Sequence, residues 1–321
     1  MGILSPRVSP SGPFAWRRRR MRATLALAPL LILSACKTSD DAKAAATQMT
    51  ATAQALQSYY AALHLQVVQT DQLNQLQDVV LGAQTYDAQT KALILDTAAE
   101  LKKRADLAQS LADLAASLSA LTNSTASSDA VTSAQNLASQ LGAIKPFRPL
   151  SDAEQKGMSL AVSALVIAIQ EHKERDAAQK MEQLADGLPK FFSGEKDEYN
   201  SLADQYIGIS QSLAMWFLHN KQATSQIGGD LVKVALDPYD LTPNLTDPAL
   251  QARLADLAPQ QITAKAAQRK TDQRNATDAM ESSLNQMRDR IHALASDKAI
   301  GPFTPASLVE VKDWAAAVLG K

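Results

Sequence analysis

No proline occurs between Cys36 and Lys145, and none between Gln260 and Gly301. A proline inside a helix removes a backbone donor, clashes with the preceding turn and costs about 3 kcal/mol. Stretches free of it permit helices far longer than the usual average of about 11–12 residues. The residues that fill these stretches are helix formers. The 321-residue chain holds 57 alanines, and only 5 % of it is aromatic. No segment alternates apolar and polar residues long enough to build a half-buried sheet.

Apolar residues recur instead in steps of three and four. Leu56, Tyr60, Leu63 and Val67 begin one stripe, which continues through Leu73 or Leu76 to Val80 and ends at Gly82. Leu107, Leu111, Leu114, Leu118 and Leu121 form a second. After a Ser/Thr/Asn cluster, a shorter helix carries Val131, Leu137 and Leu141 and stops at Gly142. Ser151-Asp152-Ala153-Glu154 is a capping box, in which Ser and Glu satisfy each other's free backbone donors. It opens a helix with Met158, Val162, Leu165 and Ile169, which Gly187 and Pro189 are expected to close. The next helix is expected to start at Ser193 and to carry Tyr199, Leu202, Tyr206, Ile209, Leu213 and Trp216.

Residues 227–259 are rich in Gly and Pro and read as an ordered connection with short helical turns, one of them carrying Leu250, Leu254 and Leu257. A long helix is expected from about Gln260 to Ser296. It is apolar in its second half (Met280, Leu284, Met287, Ile291, Leu294), and its polar stretch 268–274 is expected to project or to lie on the surface. Gly301-Pro302 stops it, and Thr304-Pro305 opens a last helix with Leu308, Val311, Ala315 and Val318. Rods of this length are stable only when their stripes are buried against one another. The expected fold is therefore all-α: an elongated bundle of long antiparallel helices, about six to eight of them, with coiled-coil-like seams. It forms one domain over residues 44–321.

The N-terminus reads as an address. Arg17 to Arg20 and Arg22 precede an apolar run from Ala23 to Leu33, the layout of an export signal. As a helix that run spans roughly 17 Å, too short for roughly 30 Å of bilayer hydrocarbon. It ends in Leu33-Ser34-Ala35-Cys36, and Cys36 is the only cysteine of the chain. This tetrapeptide resembles the lipobox of bacterial lipoproteins. The resemblance implies cleavage between Ala35 and Cys36 and acylation of Cys36 on its sulfur and its new amino group. Two or more acyl chains suffice for firm attachment, at about 0.8 kcal/mol per buried methylene. Lys37 rather than Asp after the cysteine implies outer-membrane sorting. Residues 1–35 then form the signal and 36–43 the lipidated cysteine and a short spacer, which reaches about 25 Å at most. Met21 would start a compact signal by itself, so translation from Met21 is the expectation for residues 1–20.

Residues 1–35 hold six of the 32 basic residues and no acid, leaving 26 basic and 33 acidic residues, a net charge of −7. That balance argues against nucleic-acid binding, which needs a basic footprint. One cysteine excludes an internal disulfide or a CxxC pair.

Motifs with chemistry are few, and none implies a cofactor or a metal. The four histidines are far apart, without an HExxH motif. His172 continues the Leu165/Ile169 stripe, with Glu171 before it and Asp176 a turn on. It reads as a stripe-edge histidine, with a buried acid–histidine pair as the alternative. Ser193 and Lys196 match the S-x-x-K spacing of penicillin-binding enzymes, but the companion motifs are missing. Asp237, Asp240 and Asp247 lack calcium-loop spacing. Met215-Trp216-Phe217-Leu218 is the one dense apolar-aromatic cluster. It is expected to be buried all round, with a partner-facing side as the alternative. Trp216, Phe217 and His172 are thus the candidate interaction or pocket residues.

These observations lead to the expectation of a non-catalytic envelope lipoprotein, a scaffold or binding subunit that acts on a protein partner through helix faces. Two alternatives stand beside it. One is a membrane-inserting helical protein resembling pore-forming toxins, with the apolar run 157–169 as the inserting element. The other is a binder of a small ligand between helices.

Overall fold

The computed structural model describes residues 28–82, 86–121, 127–147, 160–168, 174–220, 229–240, 248–296, 298 and 305–320. No strand occurs among them. The helices are α1 (Ala28–Leu81), α2 (Ala88–Leu121), α3 (Ser127–Ala143), α4 (160–168), α5 (Glu174–His219), α6 (Gly229–Leu236), α7 (Pro248–Ala295) and α8 (Ala306–Leu319), with a 3-10 turn at Asp237–Tyr239 after α6. With 54 residues, α1 is about 80 Å long, and the other long helices pack along it.

Side-chain pairs fix the directions. His64 of α1 bonds the Ala98 carbonyl of α2, and Ser117 of α2 meets Ser133 of α3, so α1, α2 and α3 form consecutive antiparallel hairpins. Between α5 and α7 the pairs descend in register, from Glu182–His292 through Lys196–Glu281 and Asn200–Thr277 to Asp204–Arg274. Those two helices are antiparallel as well. The same holds for α1 and α7, through Gln48–Arg290 and Tyr59–Thr277. The expected all-α bundle is the fold.

The first hairpin turn is built by its own chemistry. Gly82 has φ +61°, the left-handed conformation that ends a helix with no steric cost to glycine. The Tyr86 N–H then donates to Asp78 at 2.8 Å, and its hydroxyl donates to Asp71 at 2.5 Å. Asp87 caps α2 by accepting from the Thr90 N–H at 2.7 Å. That hydrogen bond, more than any other cause, holds the Asp87 carboxyl below its usual range.

Two apolar cores lie along the bundle. The larger holds Leu56, Tyr60, Leu63, Leu107, Leu111, Leu114, Leu137, Val162, Leu165, Met280, Leu284, Met287, Leu308 and Val311, most of the expected stripes. The smaller joins Leu73, Leu76, Tyr206, Leu213 and Phe217 to Val232, Leu236 and Tyr239 and to Ile262 of α7.

Several expectations need correction. Pro189 does not close a helix. It lies inside α5, which runs unbroken through Gly187, Pro189 and Ser193. Leu184, Ala185, Leu188, Phe191 and Phe192 are all buried around it, and that burial outweighs the lost backbone bond. For the same reason Ser193 is no cap. Pro259 likewise sits inside α7, whose long rod begins at Pro248 and not at Gln260. Leu257 of the expected small stripe faces solvent. Of the two placements expected for the polar stretch 268–274, the surface one holds: Gln268, Thr271 and Arg274 are exposed and only Gln273 is buried, while Arg269 donates to the Pro238 carbonyl and lies over the Tyr206 ring. The spacer 37–43 falls well within its upper limit of reach. Its backbone forms turns of α1, which rise about 1.5 Å per residue. Within the apolar run 157–169, α4 covers Val162 and Leu165 and leaves Leu160 69 % and Ile167 53 % exposed. The capping box Ser151–Glu154 and the Gly301-Pro302 stop lie outside the described residues.

Candidate functional site

The chemistry-bearing residues gather where α1, α2, α5 and α7 meet and where the segment 144–147 leaves α3. Arg104 of α2 and Glu195 of α5 are both fully buried. They form a multidentate pair. Nη2 donates to Oε1 at 2.8 Å and to Oε2 at 3.0 Å, and Nε donates to Oε2 at 3.1 Å. Nη1 donates to the Glu100 carbonyl at 3.2 Å, and Nη2 donates also to the Lys145 carbonyl at 3.0 Å. Glu195 also accepts the Phe147 N–H at 2.7 Å and the Tyr199 hydroxyl at 2.5 Å. With that proton committed, the Tyr60 hydroxyl donates to Tyr199 across 3.2 Å. The Arg104 guanidinium lies 3.9 Å from the Phe147 ring centre, a cation–π contact.

Physical causes compete here. Burial alone would pull the Arg104 guanidinium down, but the neighbouring Tyr199 oxygen, the Glu195 carboxylate and the bonds to it outweigh that and raise it. Burial likewise pushes the Glu100 carboxyl up. Hydrogen bonds from Lys103 and the Lys145 N–H, with the Lys103 and Arg104 charges, bring it below its usual value. Burial raises the hydroxyls of Tyr59, Tyr60 and Tyr199 far above the ordinary tyrosine range. Their rings pack edge to face, with Tyr59–Tyr199 at 6.0 Å and Tyr60–Tyr199 at 5.6 Å between centroids, and Phe192 and Trp314 complete the cluster.

Each nitrogen of Arg104 and both carboxylate oxygens of Glu195 are bonded within this network. Its chemistry is that of a latch: the two carboxylates Glu100 and Glu195 hold the backbone of Lys145 and Phe147 against α2 and α5. A buried pair of this kind contributes little relative to apolar residues, but breaking it by removing one partner costs about 3–5 kcal/mol.

Two depressions open beside the latch. One is a shallow groove of about 520 Å³ over Asp197, Asn200, Asp204 and Arg274. In it Asp204 is paired with Arg274 at 3.2 Å and with Lys270 at 3.8 Å. The other is a deeper cavity of about 230 Å³ between α1, α2 and α5, walled in part by Phe147.

The sequence-derived candidates lie elsewhere. Phe217 is buried in the smaller core, whereas Trp216 is only half-buried, 5.3 Å from the Phe217 ring. The cluster is thus covered on one side and not all round. Neither cavity reaches it. His172 lies outside the described residues. Ala35 and Cys36 fall on the backbone of α1. Lys196 is engaged by Asp278 at 2.6 Å and Glu281 at 2.8 Å, and Ser193 bonds Glu281, which leaves the S-x-x-K pair no nucleophile–base contact. Asp237 pairs with Lys233, and Asp240 with Lys265. No metal-sized group of ligands occurs among the described residues.

Sequence reasoning missed Arg104, Glu195 and Trp314. The signal existed for two of them. Arg104 stands three residues after Leu101 and four before Ala108, and Glu195 three after Phe192 and four before Tyr199. Both charges therefore occupy stripe positions. No family model, no curated protein and no solved structure matches the chain.

Proposed function

We propose that this protein is a bacterial envelope lipoprotein, held at the outer membrane by acyl chains on Cys36, and that its helical body serves as a non-catalytic scaffold or binding subunit. The observation that carries the proposal is the placement of the sole cysteine at the end of Leu33-Ser34-Ala35-Cys36, directly after a basic stretch and an apolar run. No described helix is long and apolar enough to cross a membrane, and residues 36–321 carry a net charge of −7. Attachment then rests on the lipid rather than on a span or a basic face. The helical turns of 37–43 would keep the bundle within about 10 Å of the anchor, so α1 would carry the body outward from the bilayer. The test is Cys36→Ser with cell fractionation. The variant is expected in the soluble fraction or as uncleaved precursor. Unchanged processing and unchanged membrane attachment would refute the reading.

A further inference from the structure

We infer that the cavity between α1, α2 and α5 is a binding site for a small organic cation, an ammonium group on a compact aromatic or branched aliphatic body, with Glu198 as its counter-charge. The cavity of about 230 Å³ lies below the roughly 300–1,000 Å³ of drug-sized sites, so its ligand is small. Val67, Ile94, Phe147 and Leu202 supply apolar wall, enough to hold a ring or a branched chain.

The polar atoms decide the charge. Thr70 donates its hydroxyl proton to the Gln66 carbonyl, and Thr97 donates its own to the Leu93 carbonyl, each at 2.9 Å. Both oxygens therefore offer the cavity only lone pairs. Glu198 is half-buried and forms no ion pair or hydrogen bond among the described residues. A carboxylate adds acceptors and no donor. Gln205, the one side chain here with N–H groups, is exposed at the rim. An anion would meet Glu198 without an opposing cation. A neutral apolar body would strip water from the carboxylate and give nothing back. An ammonium can donate to the carboxylate and meets only lone pairs at the two hydroxyls of the wall. The Arg104 charge behind Phe147 does not oppose this, because Glu195 compensates it directly. The latch also fixes the wall: Phe147 is held by its N–H on Glu195 and by the guanidinium stacked on its ring, so little ordering cost falls on the ligand. The site adds a ligand to the bundle and does not depend on the anchor.

The probe is 2-phenylethylammonium, titrated by calorimetry into the protein purified from whole cells, beside 2-phenylethanol and phenylacetate. Saturable one-to-one binding of the ammonium is expected. The alcohol should bind at least about tenfold more weakly, and the carboxylate should not bind. Glu198→Gln should weaken the ammonium at least about tenfold with an unchanged melting curve, while Asp197→Asn on the neighbouring residue leaves it unaffected. Absence of saturable ammonium binding, equal binding by Glu198→Gln, or phenylacetate binding as well as the ammonium would each overturn the inference.

Discussion

Around Tyr59 the bundle buries an arginine, a glutamate and several hydroxyls among aromatic rings, whereas Tyr239 sits among apolar side chains and its hydroxyl meets that of Ser210 at 2.9 Å. The first region is built from long helices in register and the second from the ends of α1 and α5, the short α6, its 3-10 turn and the first half of α7. Long smooth rods can slide past one another, and buried polar pairs penalise every register but one. Short elements bounded by turns have their positions set by the chain itself, and an apolar filling suffices. The region that gains definition from charge also stands to lose most when a charge is removed.

The largest expected effect breaks this asymmetry at its source. Glu195→Gln leaves Arg104 buried without a counter-charge and should cost about 3–5 kcal/mol, while Tyr239→Phe should cost about 1 kcal/mol. Denaturant unfolding of both variants checks the contrast, and similar losses would dissolve it. Alkaline titration comes next. Tyr59, Tyr60 and Tyr199 keep their protons in the fold well above the pH at which the unfolded chain loses them, near 10. The native state then binds more protons, and stability falls as pH rises past 10, by about 4 kcal/mol per pH unit for three such groups. Tyr206 and Tyr239 are raised as well, again mainly by burial, but the nearby Arg269 charge pulls both back down. Tyrosinate absorbance followed with circular dichroism should show these two ionising first and the other three only as helicity is lost.

A smaller effect sharpens the second region. Pro259 is half-buried, one residue after the buried Ala258 and three before Ile262. Pro259→Ala restores a helix bond and should raise stability by about 1–2 kcal/mol in the same denaturation assay. Smallest is Glu100→Gln, expected to cost about 1 kcal/mol at neutral pH. Because its carboxyl is held below the usual range, that stability is present above about pH 4.3 and disappears as pH falls through the folded value. The difference between variant and parent should therefore vanish in acid.

The stripes made most of this architecture legible. Leu56, Tyr60, Leu63, Leu107, Leu111, Leu114, Met280, Leu284, Leu308 and Val311 are buried where their spacing placed them. The misread boundaries share one cause. Pro189 and Pro259 are local breakers, and burial of their neighbours overrides local propensity. The latch went unread because Arg104 and Glu195 look like solvent-face or capping charges unless their stripe positions are weighed. The cavity had no sequence signature at all, since Thr70, Thr97, Phe147 and Glu198 come from separate parts of the chain and only packing brings them together.

The central claim is the anchored bundle, and mass spectrometry of the N-terminal peptide from membrane-extracted protein tests it most directly. The account predicts a peptide that begins at Cys36 and carries acyl chains on both sulfur and amino nitrogen. A peptide running uncut from Ala35 into Cys36, or a mature chain with a free thiol at Cys36, would contradict it.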